Sequence, residues 1–212
     1  MVKTDNHNPK AKLDLRRYFL RKYHADGPIH VLDCCQGSGL LWNQLRKEFE
    51  VATYWGVDVK PKKGRLKIDS TRILAQSGWP QNVVDVDTYG SPWKHWEAML
   101  PNISQPTTVF LTVGQVSIGG SPLLKVAKEA LGLKEIDVPN AIGMKLNALA
   151  TDYLLAEVYQ SDILLAEAVE ARSDGSARYL GVHVVPNKAA GREAATSARP
   201  KHKQPVKEVA HV

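Results

Sequence analysis

Val31-Leu32-Asp33-Cys34-Cys35-Gln36-Gly37-Ser38-Gly39 is the stretch whose reading decides the fold. A mainly apolar run from Ile29 to Cys34 leads into Gly-x-Gly, as a buried parallel strand does when it turns into a helix. Gly37 and Gly39 let the backbone turn sharply and approach a ligand closely. In open α/β sheets ligands bind outside the carboxyl ends of the strands, so chemistry is expected in this loop.

On either side, short β-branched runs alternate with helical patterns. Lys12 to His24 reads as the first helix, with Leu13, Tyr18, Phe19 and Leu20 as apolar positions. Leu40 to Phe49 follows as a helix, Thr53 to Val59 as a second strand and Leu66 to Ile68 as a short third. Ser70 is placed to cap a helix from Thr71 to Ser77, stopped by Gly78. Asn82 to Val86 is a fourth strand, Trp93 to Leu100 a helix, and Thr107 to Val113 a fifth strand. Helical patterns cover about Pro122 to Leu131 and Met144 to Tyr159. Ile163 to Ala171 and Arg178 to Val185 flank the turn signal Ser173-Asp174-Gly175-Ser176, and strands joined so closely run antiparallel. The expected fold is α/β, doubly wound and Rossmann-like. Its seven-stranded, mostly parallel sheet has a C-terminal antiparallel hairpin and one reversed strand at an edge.

The 212 residues make one domain of ordinary size, expected over 12–186, between a flexible N-terminus (1–11) and a basic, disordered tail (187–212). Hydrophobic content of 43% and charged content of 24% are those of a soluble globular protein, and no apolar stretch reaches bilayer length. With no signal-peptide pattern at the start, the expected location is cytoplasmic. Cys34 and Cys35 are adjacent, too close for ordinary disulfide geometry and too few for a zinc site, so neither bridge nor metal is expected. The net charge of +6 sits at the ends: residues 1–26 and 187–212 carry +4 each, and the stretch between carries −2. Such ends either gather a polyanion by counterion release or keep the protein soluble.

A Gly-x-Gly turn alone also suits a dinucleotide phosphate. Against that, Asp33 would repel a pyrophosphate, and Trp42 and Asn43 stand where the third glycine of a dinucleotide loop belongs. The run resembles the first motif of the class I S-adenosylmethionine-dependent methyltransferases, acidic-x-Gly-x-Gly-x-Gly, with Cys35 at the first glycine. The resemblance implies S-adenosylmethionine as cofactor, held by Asp33, Cys35, Gly37 and Gly39. It also implies that Asp58, 21 positions after Gly37, accepts the ribose hydroxyls. Asp69, at the end of the third strand, accepts from the adenine amine or caps the next helix.

The fourth strand runs out through Asp85-Val86-Asp87-Thr88-Tyr89-Gly90-Ser91-Pro92. An exocyclic amine conjugated to its ring is a poor nucleophile. An acceptor at Asp87, helped by the Thr88 carbonyl, can direct its lone pair, and Tyr89 can stack on the base; positioning supplies the acceleration. The segment is similar to the Asp-Pro-Phe/Tyr-Gly-Ser-Pro motif of the tRNA guanine-N2 dimethyltransferase family. Thr88 replaces the proline, and Leu111-Thr112-Val113-Gly114-Gln115 replaces that family's Thr-x-Thr-Asp strand exit. No counterpart of that family's additional C-terminal domain is expected from these residues.

Trp93 and Trp96 lie three apart, either as a stacking surface for a base or as helix packing. Lys60, Lys62, Lys63, Arg65 and Lys67 either contact phosphates or form a solvated loop. His95 is given no role. The leading expectation is methylation of an amine on a nucleic acid base, RNA ahead of DNA, with no membrane partner. Its competitors are a protein or small-molecule methyltransferase, an inactive RNA-binding or assembly subunit built on the same fold, and a nicotinamide-dependent oxidoreductase.

Overall fold

The computed structural model describes residues 9–60, 66–88, 92–113, 151–152, 155–171 and 177–187. In chain order its elements are α1 (Pro9–Tyr23), β1 (Ile29–Asp33), α2 (Leu40–Leu45), β2 (Val51–Asp58), β3 (Leu66–Lys67) and α3 (Ser70–Leu74). There follow β4 (Val83–Val86), α4 (Trp93–Met99) and β5 (Thr107–Val113), then β6 (Ile163–Ala171) and β7 (Arg178–Pro186). Single 3-10 turns at Leu100–Asn102 and Glu157–Gln160 complete the set. The helices anticipated over 122–131 and most of 144–159, the turn at 173–176 and the tail beyond 187 lie outside the described residues.

The seven strands form one sheet in the order β3-β2-β1-β4-β5-β7-β6. Strands β1 to β5 pair in parallel, while β7 runs antiparallel to both β5 and β6. The reversed strand is therefore not at the edge, as expected from sequence, but one place inside it. The reason lies in the side chains. β7 is buried over most of its length, whereas β6 alternates and exposes Leu164, Ala166, Ala168 and Glu170, so β6 takes the edge.

Alternation along each strand sorts the side chains onto two faces. Leu32, Val57, Val84, Val86 and Val109 pack under Leu74, Trp93, Trp96 and Met99 of α3 and α4. Ile29, Val31, Val83 and Phe110 pack under Leu13, Phe19, Leu20, Trp42 and Leu45 of α1 and α2. Helix α1 begins at Pro9, three residues ahead of its expected start, because proline fits a first helical turn, which has no bond for its missing N–H to lose.

Gly181 of β7 lies against Phe19, whose ring is fully buried and edge-on to Phe110 at 5.9 Å. A Cβ at residue 181 would stand 2.8 Å from Phe19 Cδ2, and the ring has nowhere to go. Gly181→Ala is expected to destabilise the domain by about 1–3 kcal/mol. A melt should read this as a fall of several degrees, at roughly 2–4 °C per kcal/mol.

Candidate active site

The parity that builds the second core also places three carboxylates on one face of the sheet. Asp33 at the end of β1 and Asp85 of β4 are direct register partners, and Asp87 lies two residues past Asp85. Neighbouring strands are about 4.8 Å apart, so Asp33 and Asp85 cannot both be ionised cheaply without cations.

Helix α1 supplies them. Arg16, buried to 2%, donates from Nε and NH2 to the two oxygens of Asp85 at 2.7 and 2.6 Å. Trp42 Nε1 donates to the same carboxylate at 2.7 Å. One turn earlier, Lys12 Nζ donates to both oxygens of Asp87 at 2.6 and 2.8 Å and stands 5.0 Å from the centre of the Tyr179 ring. The match is geometric: four residues of helix and two of strand both advance about 6–7 Å. A Lys-x-x-x-Arg on the helix therefore reads an Asp-x-Asp on the antiparallel strand.

Among the described residues Asp33 has no such partner. Tyr54 OH donates to its Oδ2 at 2.7 Å and in turn accepts from Gln36 Nε2 at 3.1 Å. Burial, reinforced by the Asp85 charge, pushes the Asp33 carboxyl up to about 8 against the opposing pull of Tyr54 and Arg16. Burial therefore favours the protonated form of Asp33 over the ionised one. Asp87 is the reverse case. Burial pushes it up, but Lys12, Arg16 and a hydrogen bond with Thr112 outweigh that and hold it below its ordinary value, ionised.

The loop after β1 is built as its glycines require. Gly37 and Gly39 have φ of 48° and 68°, the left-handed region, and Gly39 is the N-cap of α2. Gly37 N donates to Asp58 Oδ2 at 3.0 Å, and Lys60 N to Asp58 Oδ1 at 2.8 Å, so Asp58 ties the ends of β1 and β2 together. Each of its oxygens keeps a lone pair for a further donor. Below the loop Gly56 leaves room that a side chain would fill, its Cβ position lying 2.5 Å from Gln36 Cδ. Cys34 is buried and Cys35 half-buried, both free thiols whose pKa burial raises, so neither is a nucleophile.

Asp69 is the N-cap of α3, accepting on Oδ1 from Thr71 N at 3.0 Å and Thr71 Oγ1 at 2.7 Å. The two tryptophans also go to structure. Trp93 and Trp96 are 1% and 0% exposed within the core, which corrects the stacking surface entertained for Trp93: a ring enclosed on both faces has none to offer a base. His95, between them, is 2.9 Å from Ser70 Oγ, which donates to the Cys34 carbonyl at 3.0 Å. It thus ties α4 to the β1 loop, and burial holds its ring neutral. Thr88 Oγ1 lies 3.5 Å from the Thr112 carbonyl. Tyr89, Lys62 and Lys63 lie outside the described residues.

Sequence reasoning missed Lys12, Arg16, Tyr54 and Thr112. The available signal was a lysine and an arginine four apart on the buried stripe of a helix, two charges an ordinary amphipathic pattern would not place there. Other basic residues of α1 form ion pairs within the chain at its surface. Lys10 pairs with Asp14, Arg17 with Glu48 and Asp14, and Lys22 with Glu167.

The acceptor set fits a ligand with a cationic amine near Asp33 and a vicinal diol near Asp58, both of which S-adenosylmethionine carries. Among the described residues no group of three or more His, Cys, Asp or Glu could hold a metal ion, and no helix is long and apolar enough to cross a membrane. No family model matches the chain, and no curated protein matches it in sequence. Solved structures do match. Trm1 from Pyrococcus horikoshii, solved with S-adenosyl-L-methionine, superposes with a TM-score of 0.57 at 18% identity, over 88% of this chain. This chain spans only 58% of that one. The plantazolicin methyltransferase BpumL, in complex with SAH, superposes with a TM-score of 0.50 at 10% identity, over 85% of this chain and 84% of that one. The sheet order, the reversed β7 and these superpositions together give the chain the fold of the class I S-adenosylmethionine-dependent methyltransferases.

Proposed function

We propose that the chain is an S-adenosylmethionine-dependent methyltransferase acting on an amine of a nucleic acid base, with RNA ahead of DNA. The observation that carries the reading is the contrast between two carboxylates on one edge. Among the described residues Asp33 has no cation beside it and accepts from Tyr54 OH, which suits it to an ammonium, while Asp87 is held below its ordinary pKa by Lys12 and is suited to accept from an amine. Pairs of groups whose environments push their pKa values apart mark division of labour in a site.

In this reading Asp33 holds the methionine ammonium and Asp58 the ribose hydroxyls, with Cys35, Gly37 and Gly39 lining the approach. Asp69 contributes through the free side of its capping carboxylate. Bound there, the cofactor supplies a methyl group already activated on a sulfonium. Asp87 holds one N–H of the target amine and aims its lone pair, with the Thr88 carbonyl as a second acceptor and Tyr89 stacked on the base. The proton that the nitrogen sheds has Asp87 as its acceptor on the way to water.

The resemblance of Asp87-Thr88-Tyr89-Gly90-Ser91-Pro92 to the motif of the tRNA guanine-N2 dimethyltransferase family supports RNA. Exposed Lys60 and Lys67, with Lys62 and Lys63 between them, are assigned to phosphates at this edge. One observation favours a second reading: Lys12 already occupies both oxygens of Asp87, as it would in a binding subunit without turnover. Transfer of labelled methyl from S-adenosylmethionine into separate RNA, DNA and protein pools decides between them. Label in an N-methylated RNA base is expected. Tight cofactor binding with no label in any pool would favour the binding subunit.

A further inference from the structure

The ion pair between Lys12 and Asp87 has a consequence for which amines the site accepts. Among the described residues the charges around Asp87 balance. Lys12 neutralises Asp87 from α1 at 2.6 Å, and Arg16 neutralises Asp85 below it at 2.6 Å. Asp33 on β1 is matched by the ammonium it would receive, Thr112 of β5 and Tyr179 of β7 carry no charge, and the sulfonium adds a positive charge with no counter-ion. Lys12 is 6% exposed and Asp87 16%, so water screens little of this. An alkylammonium entering here would lose its hydration and gain no net negative charge in return.

Hydrogen-bond capacity points the same way. A carboxylate has about four acceptor positions. Lys12 takes one on each oxygen, so among the described residues these hydrogen bonds already engage both oxygens of Asp87. The capacity left over suits one N–H of a planar amine better than the three donors of an ammonium.

We infer that Lys12 is the specificity-determining residue of the acceptor site: by neutralising Asp87 it selects an uncharged amine conjugated to a ring over an alkylammonium such as a lysine side chain or a polyamine. This rests on the reading of Asp87 as the amine acceptor. It adds that the selection is electrostatic and set from α1.

The test compares the full-length wild-type chain with Lys12→Met and Lys12→Arg, using unfractionated tRNA and spermidine as methyl acceptors. Calorimetric affinity for S-adenosylhomocysteine serves as the control for an intact cofactor site. Wild type is expected to favour tRNA over spermidine by at least ~100-fold in kcat/KM, and Lys12→Met to lose at least ~10-fold on tRNA while narrowing that ratio. Without Lys12, burial of Asp87 is opposed only by Arg16 and Thr112. The pH profile of Lys12→Met should therefore show its acidic limb shifted to higher pH than in wild type. Lys12→Arg, which keeps the charge, should restore the wild-type profile.

Wild type accepting spermidine as readily as tRNA would overturn the inference without any variant, and would leave Asp87 as an amine acceptor. So would Lys12→Met with unchanged tRNA turnover and pH profile at full S-adenosylhomocysteine affinity. Wild type that binds cofactor and methylates neither acceptor would overturn the reading of Asp87 itself, and the inference with it.

Discussion

Asp87→Ala is expected to lower methyl transfer by about 10²–10⁴-fold, the range spanned by a positioned acid–base group. Cofactor affinity should stay within about threefold, because Asp87 lies one strand over from the groups assigned to the cofactor. The variant leaves Lys12 buried without its carboxylate, and breaking such a pair costs on the order of 3–5 kcal/mol. Transfer is therefore to be measured well below the lowered melting temperature, against a calorimetric titration of S-adenosylhomocysteine on the same sample. Equal losses in the two would remove Asp87 from the acceptor role.

Asp33→Asn should act in two directions at once. The amide keeps an acceptor for Tyr54 OH but cannot ionise, so it cannot pair with an ammonium. Losing a buried charge-assisted contact is worth a few kcal/mol, which predicts affinity for S-adenosylmethionine about 30-fold weaker or more. The ligand-free protein should nonetheless gain stability. In the folded chain Asp33 titrates at about 8, against an ordinary value of 3.8. Between those values the folded state holds a proton that the unfolded state has released. Wild type therefore loses stability from this group as pH rises from about 4 to 8, and the asparagine variant does not. The melting-temperature advantage of Asp33→Asn should be largest near pH 8 and shrink toward pH 4. A variant less stable than wild type at pH 8 would show that Asp33 is already ionised in the free protein.

The sheet was legible in the sequence wherever local pattern and tertiary environment agree. The apolar run into Gly37-x-Gly39 could only be a buried strand turning into a helix, and Thr107–Val113, buried throughout, reads the same way from composition. The backbone of the candidate site was legible where geometry forces a residue type, as at Gly37 and Gly39, and so were the strand ends that place Asp33 and Asp58. Two kinds of information were not local. Whether an aspartate at a strand end faces a ligand or caps the next helix depends on the first helical turn, and Asp69 is engaged by Thr71 N. The pairing of Lys12 and Arg16 with Asp87 and Asp85 spans 75 and 69 positions of sequence, and only the packing of α1 across β4 brings the two spacings together. The place of β7 inside the edge was available in principle, since β6 alternates and β7 does not, but that comparison has meaning only once both are known to share one sheet.

The most direct test of the site is calorimetric titration of the full-length chain with S-adenosylmethionine at pH 7 in two buffers of different ionisation enthalpy. A neutral Asp33 that ionises to meet the ligand's ammonium predicts binding coupled to release of about one proton, and that release should vanish in Asp33→Asn. Binding with no proton release, or binding of a nicotinamide dinucleotide in place of S-adenosylmethionine, would contradict the account.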